Sequence, residues 1–518
     1  MFGRYSLLGN NWSAAIGLEI HAQLTTKTKL FSSAPQQYGA PVNSTVTLFD
    51  AAIPGTLPVL NKKAVELAVI SALALNCKVN PISSFDRKHY FYSDLPAGYQ
   101  ITQQRQPLAE NGEVKFAVYQ PGVHSKPYYK SSKIKQIQLE QDSGKSLHNT
   151  KLNQKYIDLN RAGTALIEIV FQPDLENEQE ACALIKEVLT ILKRAQTCSG
   201  KLEEGNLRID VNISIRDENN NLGPRTEIKN VGSIHGVVHA IVQEKKRQIN
   251  IIEGGGIVQN ETFAWDVVKN SLTLMRDKEE ANDYRFVPEP NLPPLRLIIN
   301  NSTKEFHKDI RNKENILDLK HVPSKVPETP QNDRLYLIEK YGLSDVYAYN
   351  LVAQEKLLDF FKKLLSEDSS RDPKITYLLL MYKLLNALKV KSMDLENCYV
   401  SIDYLGQIID MLQKKVISKM TGDYLIQEIL NVDNSVSPSE LVERENLKII
   451  SNPKELKKCC LKVMEREKPL VATYKKKNKI VYNELLRKVI EYTNNRADTN
   501  VLPQVLTEVL NDHLNNRL

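Results

Sequence analysis

The sequence predicts an α+β protein, in which an N-terminal antiparallel-sheet cradle domain precedes all-helical middle and tail domains. Three observations predict it. The chain changes character near residue 297: period-2 stretches broken by Gly and Pro turns precede it, and segments of helical period such as "VAQEKLLDFFKKLLSE" and "LGQIIDMLQKKVISKM" follow it. Pro-rich "PEPNLPPLR" (288–296) marks that boundary, with "HVPSKVPETP" as a further loop beyond it. The 518 residues exceed what one compact core accommodates, so two or three domains are expected. The boundaries are placed at 1–297, 298–435 and 436–518.

Five N-terminal stretches alternate with period 2. In "IGLEIHAQL", Ile16, Leu18, Ile20 and Ala22 take one face, and Glu19, His21 and Gln23 the other. In "NLRIDVNISIR", Leu207, Ile209, Val211, Ile213 and Ile215 oppose Arg208, Asp210, Asn212, Ser214 and Arg216. "RTEIKN" aligns Arg225, Glu227 and Lys229. "QIQLE" aligns Gln136, Gln138 and Glu140, and "LIEIV" adds Glu168. These are half-buried antiparallel strands with one face on a core. "QEACALIKEVLTILKRA" supplies a covering helix with Ala181, Leu184, Ile185, Val188 and Leu192 on one stripe.

A plain solvent face favours Thr, Lys and mixed charges. This face gathers Glu19, His21, Glu140, Glu168, Asp210 and Glu227, with Arg208 and Lys229 between them. Carboxylates packed on one surface repel unless a cation or protons offset them. Oxygen ligands with one imidazole suit Mg²⁺ or Mn²⁺.

Composition narrows the function classes. Hydrophobic residues at 42% and charged residues at 25% describe an ordinary globular chain, and the net charge of +7 permits RNA binding without requiring it. Of six cysteines only Cys459 and Cys460 are close, and no CxxC pair exists to seed a zinc site, so free thiols in a reduced compartment are expected. The apolar run "YLLLMYKLLNALKV" is interrupted by Lys383 and Asn386, which argues against a membrane span. The N-terminal "MFGRYSLLGNNWS" is basic, acid-free and hydroxyl-bearing, which suits a short organelle-targeting leader or an ordinary frayed terminus. There is no G-x-S-x-G elbow, no HExxH and no Cys nucleophile paired with a base.

"LEQDSGKSLH" (139–148) carries a Gly-Lys-Ser that resembles the end of a phosphate loop. The first glycine of such a loop would fall at Leu139, and Glu140 and Asp142 stand where backbone amides should cradle phosphate. The Walker reading fails. An acidic rim facing a metal, with Lys145 reaching a phosphate oxygen, remains physically consistent. The alternative is a polar turn in which Gly144 supplies a left-handed conformation.

The ordered motifs "IGLEIHAQL", "TKLFSS", "PGTLPVLN", "FDRKHYFYSDLPAGYQITQ", "LEQDSGKSLH", "DLNRAGTALIEIV", "LEEGNLRIDVNISIR", "RTEIKNVGS" and "DYRFVPEPNLPP" run from residue 16 to residue 294. Together they resemble the GatB-like family, the B-type subunits of glutamyl-tRNA(Gln)/aspartyl-tRNA(Asn) amidotransferases, in its mitochondrial form. From about residue 342 the resemblance is weaker. It implies a ligase that uses ATP and Mg²⁺ to phosphorylate the side chain of Glu on tRNA(Gln), then amidates it with ammonia from an amidase-type glutaminase partner. A small third component of the complex and a mitochondrial matrix location are implied as well. Carried over, Glu19, His21 and Glu140 would ligate metal, with Asp210 and Glu227 completing the set. Asp142 and Lys145 would lie close to metal or phosphate, and Lys145, Arg208 and Lys229 would serve the nucleotide. His89, Tyr90, Tyr92, Tyr99 and Gln100 become candidates for the pocket of the glutamyl group or terminal adenosine.

Three departures stand out. Where many bacterial members carry a four-cysteine zinc site, this chain has Ser32, Ala34, Thr47 and Asp50, so no zinc is expected. Gln141 stands where many members have a second Glu. The family's tail glycines align with Asn483 and Arg487, although Lys475, Lys476, Lys477 and Lys479 remain suited to tRNA phosphates. The last two departures keep open a non-catalytic tRNA-binding scaffold. A free-standing ligase fed by free ammonia is a further alternative.

Overall fold

The computed structural model describes residues 12–149, 151–216, 221–266, 269–276, 285–299, 316–395, 400–431, 436–474 and 479–515. The chain forms two compact units, residues 1–333 and 334–518.

The first unit is built on strands that appear in chain order as β1 (Ser13–Gln23), β2 (Lys78–Val79), β3 (Ile82–Ser83), β4 (Asp86–His89), β5 (Tyr99–Thr102), β6 (Ala109–Val118), β7 (Tyr128–Gln141), β8 (Lys145–Asn149) and β9 (Gln154–Asp158). They continue as β10 (Ala165–Phe171), β11 (Leu207–Arg216), β12 (Thr226–Val231), β13 (Thr262–Asp266), β14 (Ser271–Arg276), β15 (Arg285–Pro288), β16 (Leu295–Ile298) and β17 (Ile316–Asp318). A nine-stranded sheet has the order β14-β13-β12-β11-β1-β10-β7-β6-β2. Two three-stranded sheets, β15-β4-β5 and β17-β16-β3, and the hairpin β8-β9 complete the unit.

The period-2 stretches become central strands. Ile16, Leu18, Ile20, Ala22, Leu207, Ile209, Val211 and Ile213 are all fully buried. Helices α1 (Lys62–Ala74), α2 (Glu178–Arg194) and α3 (Ile234–Glu253) cover that face. On α2 the stripe Ala181, Leu184, Ile185, Val188 and Leu192 is fully buried, as its spacing predicts. The side chain of Asn177 caps α2 by accepting from the Glu180 N–H at 2.8 Å, and Ser233 caps α3 through Gly236 at 2.9 Å.

Two features differ from the sequence expectation. The sheet is mixed, because β12 and β13 pair in parallel; α3 lies between them in the chain and supplies the crossover that parallel strands need. The first unit also extends past residue 297 to residue 333, since β16 pairs with β3 and β17 with β16.

The second unit is helical and holds two apolar cores, one formed within residues 337–442 and one within 456–510. Tyr377, Leu379, Leu380 and Leu384 of the long apolar run lie in the first of these. No helix among the described residues is long and apolar enough to cross a membrane. Cys77, Cys198 and Cys460 are free and buried. Lys475, Lys476 and Lys477 and most of the leader-like N-terminus lie outside the described residues; Lys479 opens the helix Lys479–Tyr492, which carries Asn483 and Arg487.

Candidate active site

β1 lies at the middle of the large sheet, and its open face carries Glu19 and His21. Register sets His21 opposite Glu168 of β10 and Arg208 of β11, and Glu19 opposite Asp210 of β11. Residues two apart on a strand are separated by about 6.5 Å. Glu19 and His21 therefore join different neighbours. On one side of β1, ligand atoms of His21, Glu140 and Glu168 lie within 4.8 Å of one another. On the other side, Glu19, Asp210 and Glu227 do the same. The single set expected from the sequence divides in two, and Glu168, noted on the face but not among the ligands, completes the first.

The His21 group is buried. His21 Nε2 stands 3.8 Å from Glu140 Oε1 and 3.9 Å from Glu168 Oε1. Glu140 is 3% exposed; its Oε1 accepts from Gln100 Nε2 at 2.7 Å, while its Oε2 is buried without a hydrogen-bond partner. Glu168 Oε2 accepts from Gln138 Nε2 at 2.6 Å. Burial pushes the Glu168 carboxyl up, the neighbouring Glu140 adds to this, and His21 and Lys88 offset it only in part, so the group titrates at about 7.

The Glu19 group is more open and has its own cation. Lys229 Nζ lies 2.8 Å from Glu227 Oε1 and 3.7 Å from Asp210 Oδ2. A register shift between Ile209 and Val211 sets Lys229 and Asn230 of β12 against Asp210, with Asn230 at φ +57. The Asn230 N–H thereby donates to Asp210 Oδ1 at 2.7 Å. Asn212 Nδ2 donates to Glu19 Oε1 at 3.0 Å.

Both groups have the chemistry of a divalent-cation site. Two ligands on opposite sides of one Mg²⁺ ion, with bonds of about 2.1 Å, stand about 4.2 Å apart, which these spacings accommodate. The buried, unpartnered Oε2 of Glu140 is the atom that most needs such a partner.

The "LEQDSGKSLH" segment turns out differently from a phosphate loop. Glu140 ends the polar row of β7, and Gln141, the next residue, lines a cavity of about 300 Å³ with Asp50, Pro54, Leu95, Tyr99 and Gly163. Asp142 is buried and accepts from Arg161 Nε at 2.5 Å and Arg208 Nη2 at 2.7 Å. Burial alone would raise its carboxyl, but the two guanidinium groups prevail and hold it below the usual range. Arg208 is thus engaged with Asp142. Gly144 is not left-handed; a Cβ there would meet the carbonyl oxygens of Asp94 at 2.9 Å and Asp158 at 3.0 Å. Close backbone approach is what requires glycine. Lys145 is exposed on β8 opposite Asp158.

Residues 14–303 match the family model described as the GatB/GatE catalytic domain, and residues 359–514 match the one described as the GatB domain. The chain belongs to the GatB family. It is 46% identical over 93% of its length, and 90% of the relative's, to the B-type subunit of the mitochondrial glutamyl-tRNA(Gln) amidotransferase of Aedes aegypti. The human protein of the same name is 39% identical over 97% of this chain and 89% of its own. The corresponding B-type subunit of the aspartyl/glutamyl-tRNA(Asn/Gln) amidotransferase of Orientia tsutsugamushi is 34% identical over 97% of both chains.

In this GatB-family chain the candidate pocket residues lie on and beside the small sheet β15-β4-β5. His89 Nδ1 is 3.1 Å from the carbonyl oxygen of Arg285, and its ring lies 5.7 Å from that of Tyr99. Arg87 stacks on Tyr99 at 4.3 Å. Tyr90 packs edge-on against the exposed Tyr92, and its hydroxyl donates to Gln100 Oε1 at 3.0 Å. Asp50 accepts from Ser32 Oγ at 3.0 Å and from the N–H and hydroxyl of Thr47 at 2.8 and 2.9 Å. Lys29 Nζ, also buried, lies 3.3 Å from Asp50. Burial lowers the Lys29 ammonium, and Asp50 offsets this only in part. Gln138, Asn212 and Arg161 were not singled out from the sequence. Period 2 placed Gln138 and Asn212 on the polar face, and no local pattern marks Arg161 as a partner of Asp142.

Proposed function

We propose that the two acidic groups form the phosphoryl-transfer and amidation centre of a glutamyl-tRNA(Gln) amidotransferase, in which this chain is the GatB component and acts on Glu-tRNA(Gln) with ATP in the mitochondrial matrix. The observation that carries this reading is the pair of three-ligand groups flanking β1, one of which leaves the buried Glu140 Oε2 without a partner. The mitochondrial names of the insect and human relatives support the location.

The chemistry explains why such a centre is needed. A carboxylate is a poor electrophile. One oxygen of the glutamyl γ-carboxylate attacks the γ-phosphorus of ATP and ADP leaves, giving an acyl phosphate. Ammonia attacks the acyl carbon, orthophosphate departs, and loss of a proton leaves the amide. Bound Mg²⁺ supplies the charge neutralisation that phosphoryl transfer depends on. His21, Glu140 and Glu168 would hold one ion, and Glu19, Asp210 and Glu227 a second. Lys229 places a positive charge on the same face for phosphate oxygens, and the exposed Lys145 is free to swing towards a bound nucleotide. The chain carries no glutaminase nucleophile motif, so an amidase-type glutaminase partner delivers the ammonia, and a small third component completes the complex.

The purified complex, given ATP, Mg²⁺, glutamine and Glu-tRNA(Gln), is expected to form Gln-tRNA(Gln), and Glu19→Ala or His21→Ala should abolish this. Full activity in both variants sinks the site assignment. Retention of tRNA without Mg²⁺-dependent ATP cleavage would instead support the scaffold reading.

A further inference from the structure

Gln100 is 6% exposed, and both ends of its side-chain amide are engaged. Its Nε2 donates to Glu140 Oε1 at 2.7 Å and to the Gln141 carbonyl oxygen at 2.7 Å, and its Oε1 accepts from the Tyr90 hydroxyl at 3.0 Å. An ionised carboxylate and a carbonyl only accept, so the amide nitrogen must face them. Flipping the amide would bring three acceptor oxygens together. The oxygen of Gln100 therefore points to Tyr90, whose hydroxyl must donate. One proton arrangement satisfies all three hydrogen bonds, and it links β5 of the small sheet to β7 of the large one across 40 residues of sequence.

We propose that Gln100, oriented by Tyr90, is a positioning residue for Glu140. It occupies Oε1 so that Oε2, buried and otherwise unpartnered, is presented to a divalent cation shared with His21 and Glu168. The inference rests on the metal-site reading above. It moves Tyr90 and Gln100 from candidate substrate contacts to the support of a ligand. Without Gln100, the Glu140 carboxylate would stay buried and lose its charge-assisted donor, and its rotamer would no longer be tied to the small sheet.

Gln103 supplies a matched control. It too is buried and bridges to β7, accepting from the Leu139 N–H at 3.0 Å and donating to Ser83 Oγ at 3.0 Å, yet it touches neither acidic group. The test is a Mn²⁺ titration of the full-length chain in its complex, followed by electron paramagnetic resonance of free Mn²⁺, with melting temperature measured in parallel. Gln100→Leu is expected to weaken one class of Mn²⁺ site by roughly 10–100-fold, the range for losing a partner of a metal ligand. Tyr90→Phe should weaken the same class by about tenfold or less. Gln103→Leu should lower the melting temperature but leave Mn²⁺ affinity unchanged. Wild-type affinity in a folded Gln100→Leu overturns the proposal. If that variant does not fold, unchanged affinity in Tyr90→Phe overturns it. Wild-type protein that binds no Mn²⁺ refutes the metal-site reading instead, so the two failures are distinguishable.

Discussion

The two acidic groups share one sheet face and are separated only by β1, yet each handles like-charge repulsion in its own way. Glu19, Asp210 and Glu227 have Lys229 among them and a peptide N–H, aimed by the irregularity in β12, on Asp210. One ammonium set against three carboxylates offsets part of their repulsion and leaves a net negative charge. His21, Glu140 and Glu168 have neutral amides from Gln100 and Gln138, and a proton held on Glu168 up to about 7. Amides orient a carboxylate without cancelling its charge. The difference shows two ways for an acidic cluster to limit its own repulsion, a neighbouring ammonium in one group and a retained proton in the other.

The largest effect expected is on catalysis. Glu19→Ala and His21→Ala each remove a ligand from one group only, and each should lower Gln-tRNA(Gln) formation by at least about 100–1,000-fold, the range for removing one group that stabilises developing charge. If only His21→Ala does so, the two groups do not act together. Gly144→Ala comes next: its Cβ would press on the backbone oxygens of Asp94 and Asp158, just beyond the end of β7, which carries Glu140. It should cost about 1–3 kcal/mol of stability in denaturant unfolding and disturb Mn²⁺ binding to the buried group alone.

The third prediction concerns pH. The folded protein keeps a proton on Glu168 up to about 7, whereas an unfolded glutamate releases it near 4.5. The folded state binds more protons in that window, so metal-free stability falls as pH rises from about 4.5 to about 7 and is level above it. Melting temperatures in EDTA should show this slope. Saturating Mn²⁺ or the Glu168→Gln variant should flatten it, and a slope that survives both would place its origin elsewhere. The smallest effect is expected for Lys229→Met. Removing this half-buried cation should cost about 1 kcal/mol in EDTA and be recovered on adding Mg²⁺, because the three carboxylates of the Glu19 group would then have no ammonium among them.

Much of this was legible in the sequence. Alternation in "IGLEIHAQL" and "NLRIDVNISIR" assigned every apolar residue of those stretches to the buried face, and the polar partners to the open one. The failure of Gly144-Lys145-Ser146 as a Walker loop followed from Leu139 and the flanking acids. The reason for Gly144 did not follow, because the oxygens it avoids belong to Asp94 and Asp158 in other parts of the chain. Asp142 is a similar case: an acid in a metal-suited motif is committed to Arg161 and Arg208. The parallel β12-β13 pair required knowing that α3 crosses over between them.

The sequence by itself determined the α+β class, the strands and their faces, and the pool of acids, because a period of two residues is a local property of the chain. Only the tertiary structure decided which acids meet. Strand order and register bring Glu168 to His21 and Asp210 to Glu19, and pairings between distant segments follow from how the whole sheet closes over its helices. The same holds for Gln100, whose role is set by a small sheet packed beside a large one.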